Sequence, residues 1–403
     1  MSARPELDFM APAAVSRWQR NALIVGVLGT IGAIIGWVIE ADNFYRAFLL
    51  GYMWCIGLTL GSLAVLMVYH LTGGAWGTVA RRILEAGTRT FPLMAVLFVI
   101  ILIGMHHLYP WTRPEEVAAD KNLQRLAHSY LAPNFFIFRA VLYFLIWGLL
   151  IYSLDRISRR QDRPPTVSFD ARLRGISGPG EVLYALTVTF AAVDWVMSVD
   201  PHWASTIYGL LFMAGQGILT LAFVVVIGSL LVRFKPMDEL WRPSQFLDHG
   251  KLLLAFVMLW GWFSFSQWLI IWNGNLPEEI SWYLNRSRGG WQYWAGFMVA
   301  VQFAVPFALL LSRNLKSNWR KLRWVALWLI AARYVDLYFI IMPSFEGRKG
   351  HFHYSWLDFV VPMGLAGLWL TYFFYNLKSR PLLAQYDDHV AVLVEEGHEH
   401  EHV

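Results

Sequence analysis

Asp194 and Asp336 are the residues in this sequence whose chemistry stands out most. Each interrupts a long apolar stretch, and each is followed at the same spacing by a proline: Val193-Asp194 to Pro201, and Val335-Asp336 to Pro343. A carboxylate at the centre of a lipid-spanning helix costs about 2.5–3.5 kcal/mol to insert, so it marks a place where polar work is done. Its recurrence at matching places predicts a bundle built by duplication. Arg139 and Arg333 also lie inside apolar stretches, and Asp358 opens the last of them. Arg333 and Asp336, at i and i+3, share one helix face. Two readings follow. Arg333–Asp336 and Arg139–Asp194 are buried ion pairs that hold helices together, or they border a protonatable cavity on a proton or ion path. One pair can serve both ends.

Further polar residues lie deeper: Gln216, Gln302, and Gln267 with Ser264 and Ser266 on one stretch. As interhelical hydrogen bonds they contribute roughly 0.6–2 kcal/mol each. As a relay through bound water they would reach Lys251, Asp248 and His249 at the start of the stretch that carries Gln267. Pro306 and Pro362 are expected to kink their helices. Bis-histidine haem needs paired histidines at one depth. His70, His106, His107, His128, His202, His249, His351 and His353 all fall at or beyond the ends of apolar stretches, so no haem b is expected. Cys55 is the sole cysteine, which excludes internal disulfides, iron–sulfur ligation and Cys-type zinc sites, and no Cys-x-x-Cys-His occurs. The Glu/His run at 395–403 (EEGHEHEHV) reads as a solvated tail, since nothing preorganises it for a metal. The chain is therefore expected to bind neither haem nor metal itself.

The elements that position these residues follow from composition. The chain is 57% hydrophobic, 16% aromatic and 15% charged, against about 25% charged in soluble domains. Twenty-one tryptophans and seventeen tyrosines suit rings placed at two membrane interfaces. Ten windows are apolar enough to span: 22–39, 47–70, 91–108, 135–154, 182–199, 206–232, 252–272, 291–312, 324–342 and 356–375. The class is an all-α polytopic membrane protein. Of its 33 Lys and Arg, 23 fall in the segments on the side of the N-terminus and eight on the other; Arg139 and Arg333 complete the set. That bias puts both termini in the cytoplasm. It also assigns the basic net charge to topology and anionic lipid rather than nucleic acid. The first 20 residues lack an apolar core with a cleavage site, so no cleaved signal peptide is expected. The expected layout is a cytoplasmic segment (1–20), a membrane domain (21–380) and a flexible acidic, His-rich tail (381–403). Within the membrane domain, helices two to five (47–199) and six to nine (204–342) form two four-helix bundles in a parallel repeat, with helices one and ten peripheral. Gly57 and Gly61 against Gly215 and Gly217 are further marks of that repeat.

Three stretches carry a family resemblance: GLTLGSLAVLMVYHLTGGAWGTVARRILEAGTRTFPLM (57–94), GPGEVLYALTVTFAAVDWVMSVDPHWASTIYG (178–209) and KLLLAFVMLWGWFSFSQWLIIWNGNLPEEISWYLNR (251–286). They resemble the F subunit of bacterial alternative complex III, a quinol:electron-acceptor oxidoreductase, over roughly residues 20–380. The resemblance implies an NrfD-like fold in the bacterial inner membrane. It implies partners too: a multihaem cytochrome c, an iron–sulfur protein, a sister C subunit of the same fold, other subunits, and a terminal oxidase downstream. Haem c and iron–sulfur clusters would sit in those partners, and quinol or menaquinol would be the substrate of the complex. In the family, quinol oxidation is assigned to the C subunit, and the F subunit is proposed to help move protons.

The leading expectation is thus a cofactor-free, structural and proton-conducting subunit. The alternatives are quinol binding by this chain through His106, His107 and Asp194, where quinol oxidation needs a base for each proton, and a secondary transporter. Reporter fusions at Gln161 and Asn318 are expected to read cytoplasmic and one at Glu115 to read exported. An exported reporter at Gln161 would reverse the orientation.

Overall fold

Long apolar runs with few helix breakers form helices because a lipid-exposed backbone must satisfy its hydrogen bonds internally. The computed structural model describes residues 9–162, 164, 168–345, 348–384, 386–390 and 392–393, and among these there is no strand. Among the described residues, ten helices are long and apolar enough to cross a membrane, the pattern of a multi-pass membrane protein. They are α1 (Ala14–Ile39), α2 (Ala41–Thr72), α3 (Ala75–Ile103), α4 (Pro133–Asp162), α5 (Asp170–Val199), α6 (Tyr208–Leu231), α7 (Pro243–Gly274), α8 (Trp291–Leu311), α9 (Trp319–Ser344) and α10 (Leu357–Lys378). Each expected window falls on one of them. Their outer surface is apolar, with Leu28, Ile34, Leu145, Leu149, Trp262 and Trp324 exposed, a surface that water would not tolerate over so wide an area.

The main departure is α3, which begins at Ala75 rather than near residue 91. Its first half, Ala75–Thr88, is buried from Gly77 onward although it carries Arg81, Arg82 and Glu85. A turn at Arg89-Thr90 separates it from Phe91–Ile103, where Pro92 fits the first helical turn. The first half packs against α2, α6, α7 and α10. Hydropathy missed it because its charges are neutralised inside the protein.

α2 and α6 are the most enclosed helices and pack on each other. Gly61 permits this: a Cβ there would lie 2.3 Å from Thr220 Oγ1 and 2.8 Å from the Gln216 carbonyl. The matching glycines on α6 serve other contacts, Gly215 lying against the Arg333 guanidinium and Gly217 against the Phe256 ring. Around this pair, α2 also meets α3 and α5, and α6 also meets α5, α7 and α9. α4 packs on α5, and α8 on α7 and α9. α1 touches mainly α10, whereas α10 also packs extensively on α2. α10 is therefore less peripheral than expected.

The two ends of the chain meet, since the Leu382 N–H donates to the Phe9 carbonyl at 2.7 Å. This end of the bundle is called the terminal end below, and the opposite one the far end. The described part of the segment expected to be a flexible tail is packed: Leu382, Leu383, Asp387, Val390 and Leu393 are buried. Arg242 Nη2 donates to the Leu393 carbonyl at 3.1 Å, and the Tyr386 N–H to the Gln161 carbonyl at 3.1 Å. Arg4, Arg163 and the run 395–403 lie outside the described residues.

α1 and α10 cross backbone to backbone. A Cβ on Gly29 would lie 2.2 Å from Gly364 Cα, and one on Gly367 2.4 Å from Gly26 N. Gly29→Leu is expected to destabilise the protein by about 1–3 kcal/mol, the usual penalty of overpacking, whereas Ile31→Leu on the exposed face of α1 leaves it unchanged. Unfolding midpoints in detergent check both.

Candidate functional site

Asp194 is the last residue but one of the α-helical part of α5, which stops at Trp195 before a short 3-10 turn. Arg139 of α4 meets it side-on, Nε donating to Oδ2 at 2.8 Å and Nη2 to Oδ1 at 2.9 Å. Tyr143, one turn further along α4, donates to Oδ2 at 2.8 Å. The Arg139 guanidinium also stacks over Tyr130 at 4.0 Å. Both carboxylate oxygens are thus occupied. His107 instead pairs with Asp42 at 2.6 Å and stacks on Tyr45, while His106 is exposed. The His–Asp194 set proposed for quinol binding is not assembled.

Asp336 sits earlier in its helix. α9 stays α-helical to Ile341 before its own 3-10 turn, so equal spacing to proline does not give equal distance from the helix end. Arg333 pairs with Asp336 Oδ2, and Trp260 Nε1 of α7 donates to the same oxygen at 3.1 Å. Among the described residues, none donates to Oδ1. Asp336 lines a cavity of about 750 Å3 between α7, α8, α9 and the short helix Pro277–Arg286. Its walls are largely aromatic, including Trp262, Phe265, Trp268, Trp282 and Phe303, with Ser264, Gln267, Tyr283 and Gln292 as polar groups. Gln267 accepts from Ser205 at 3.0 Å and donates to the Tyr283 hydroxyl at 3.2 Å. Burial pushes the Tyr283 hydroxyl up to about 12, so it remains a hydrogen-bond donor. Arg286, drawn below its ordinary value to about 9 by the same burial, lies 3.5 Å over the Trp282 ring and donates to the carbonyls of Trp282, Phe339 and Ile340 and to Ser344.

Asp358, at the start of α10, finds a partner the sequence did not suggest. Arg348 bonds it at 2.8 Å, Tyr338 donates to Oδ2 at 3.1 Å, and the Ser355 N–H donates at 2.9 Å. Arg348 is one of the eight basic residues expected on the side away from the N-terminus.

The remaining candidates divide. Lys251 and Asp248 form an exposed pair at 2.8 Å. His249 is buried, its Nδ1 on the Gln245 carbonyl at 2.8 Å and its ring stacked on Trp241. Between them and Ser264, residues 252–263 of α7 are apolar apart from the indole N–H groups of Trp260 and Trp262, so α7 carries two separate polar sets rather than one line. Ser266 is half-buried and does not line the cavity beside Asp336. Gln302 is fully buried, and neither amide atom has a partner among the described residues. It lies in a π-helical turn, Ala300–Ala304. Pro306 accounts for the turn, because its ring collides with the carbonyl four residues back, that of Gln302. Such turns recur at functional sites.

A second set of polar residues lies on α5 and α6. Ser177, Glu181 and Tyr184 follow at helical spacing, and Tyr184 donates to Gln216 Oε1 of α6 at 2.6 Å. Next to Gln216, Gly215 carries the Arg333 guanidinium against it, and Arg333 leads to Asp336 and the cavity. Ser177 Oγ, Glu181 Oε1 and Thr220 Oγ1 are buried without a partner among the described residues, atoms that bound water satisfies in a polar interior. The sequence carried a partial signal: Glu181, three residues before Tyr184, directly adjoins the apolar window 182–199 rather than lying in a polar loop of its own.

At the terminal end, Glu85 is held by Arg81 at 2.8 Å, by Arg82 at 2.7 Å and by Ser158 at 2.7 Å. Arg81 also reaches Asp387 and Gln161, each at 2.6 Å, and Arg82 pairs with Asp162. Among the described residues, no group of three or more His, Cys, Asp or Glu is placed to hold a metal ion. No protein-family model and no curated protein matches this sequence.

Arg139→Ala would leave the Asp194 carboxylate buried with Tyr143 alone. It is expected to cost about 3–5 kcal/mol of stability, and the double variant Arg139→Ala with Asp194→Asn less than the sum of the two single losses. A double-mutant cycle of unfolding free energies checks this.

Proposed function

We propose that this chain is a cofactor-free integral membrane subunit of a respiratory quinol:electron-acceptor oxidoreductase of the alternative complex III kind, structural and taking part in proton translocation. Its orientation is N-in and C-in across the bacterial cytoplasmic membrane, with α2–α5 and α6–α9 as two related four-helix bundles. Its partners are a multihaem cytochrome c, an iron–sulfur protein and a sister subunit of its own fold, which hold the redox centres.

Three things support this reading. The stretches 57–94, 178–209 and 251–286 resemble that family. Ten helices are suited to a membrane, and the basic residues concentrate on one side of the chain. The observation that carries the proton role is the Tyr184–Gln216 hydrogen bond between α5 and α6, with Ser177 and Glu181 at helical spacing on one side and the Arg333–Asp336 pair packed at neighbouring Gly215 on the other, a set with two carboxylates and buried atoms that lack a partner among the described residues. Protons move along such lines by exchange between titratable groups and bound water. The Arg139–Asp194 and Arg348–Asp358 pairs, saturated by hydrogen bonds, fit the structural role.

Glu181→Gln and Asp336→Asn keep shape and hydrogen bonding but cannot titrate. In the whole complex, extracted from its membrane and reconstituted in vesicles, both are expected to assemble with the haem and iron–sulfur partners and to oxidise quinol. The protons moved per electron are expected to fall. Parent-like proton movement in both variants would refute the proton role, and extraction without redox partners would refute membership of the complex.

A further inference from the structure

The cavity of about 750 Å3 between α7, α8 and α9 holds a charge that no described residue balances. Arg286 closes the short helix Pro277–Arg286 at the far end, is 2% exposed and lines that cavity. Its partners are all uncharged: the carbonyls of Trp282, Phe339 and Ile340, and the Ser344 hydroxyl. Asp200, whose field reaches Arg286, pairs with Lys349 at 3.7 Å, and Asp336 pairs with Arg333. Arg286 is thus left without a counter-ion among the described residues. A guanidinium taken out of water is costly unless an anion answers it.

One corner of the cavity is arranged to receive that anion. A guanidinium has five N–H groups, and the second N–H of Nη1 is the one that Arg286 has not spent. Tyr283, at i−3 on the same helix face, accepts from Gln267 and keeps its own proton to donate. The remaining wall shows what the anion is attached to. Trp262 and Phe265 of α7 and Val299 of α8 are 69%, 56% and 49% exposed. The cleft therefore opens sideways between these helices, onto the surface that faces lipid. Toward the terminal end it closes, where a Cβ on Gly261 would lie 2.5 Å from the Phe303 ring. An anion arriving from water would leave this apolar slot empty, whereas a hydrocarbon chain fills it by contact. A zwitterionic head brings a cation of its own, which Arg286 repels.

We propose that this cleft binds an anionic amphiphile of single charge, its acidic head on Arg286 and Tyr283 and its chain leaving between α7 and α8 into the bilayer. The carboxylate of a fatty acid and the phosphate of an acidic phospholipid share this chemistry. The inference stands apart from the proton role, because it concerns binding in the absence of turnover.

The test is equilibrium binding to the full-length protein as extracted in mild non-ionic detergent, partners retained. The probes are radiolabelled oleate and dioleoylphosphatidylglycerol, with dioleoylphosphatidylcholine, monoolein and inorganic phosphate as competitors. Saturable binding of an acidic probe is expected, and which of the two binds identifies the head. Phosphatidylcholine and monoolein are expected to compete about tenfold or more weakly, the loss of one hydrogen bond between charged groups. Inorganic phosphate, which has no chain, is expected not to compete. Arg286→Gln still donates to the carbonyls but carries no charge, so acidic and uncharged probes should bind within about twofold of each other. Arg286→Lys keeps the charge and should keep the preference, a contrast that loss of fold does not produce. Ser264→Phe leaves Arg286 in place, fills the cleft and is expected to abolish binding. Absence of saturable binding by both acidic probes would overturn the proposal, as would monoolein that binds as tightly or phosphate that displaces them. So would a parent-like preference in Arg286→Gln, its equal loss in Arg286→Lys, or parent affinity in Ser264→Phe.

Discussion

In an apolar interior a guanidinium and a carboxylate are tolerable only in each other's company, and much of this architecture is arranged to bring them together. An unpaired ion is expensive to take out of water, and its partner offsets that cost only when geometry and supporting hydrogen bonds are good. Arg139–Asp194 ties α4 to α5, and Arg348–Asp358 ties the loop before α10 to its first turn. Arg81, Arg82 and Glu85 draw α4 and the C-terminal segment onto the first half of α3. The helices meet where the charges require it.

The Arg333–Asp336 pair differs in kind. Both ions lie on one helix, so their attraction joins nothing to anything. Their neighbours do the joining: Gly215 of α6 makes room for the guanidinium, and Trp260 of α7 donates to the carboxylate. One oxygen is left for the cavity. A pair that is not spent on holding helices together, and whose carboxylate keeps an open lone pair, is the arrangement that can respond to a proton or a ligand.

Close approach between backbones supplies the second constraint. Lipid offers no hydrophobic drive for one helix to leave it for another, so association relies on contact and small residues. Gly26 and Gly29 against Gly364 and Gly367 join the first helix to the last, and Gly61 lets α2 and α6 form the centre. With the centre closed, polar side chains on α2, α5 and α6 must satisfy one another or bind water. That is why the buried line through Glu181, Tyr184 and Gln216 is found there.

The number of spans, the apolar surface and the two interior Arg–Asp pairs were determined by sequence alone. Apolar length is a local property, and a charge within an apolar run declares itself without a partner in view. The pairing of Arg333 with Asp336 was also local, at i and i+3. Only the tertiary structure decided the rest. Ala75–Thr88 reads as a basic loop until Glu85, Asp387 and Asp162 are seen to neutralise its arginines. Asp358 shows no partner until the loop folds Arg348 back upon it. The tail lies packed because its aspartate answers a charge some three hundred positions earlier, as Arg81 and Asp387 are 306 residues apart. The polar line and the cavity likewise join residues from different helices. Spacing along one helix reports which side chains share its face, but which face meets which is set by the packing of the whole chain.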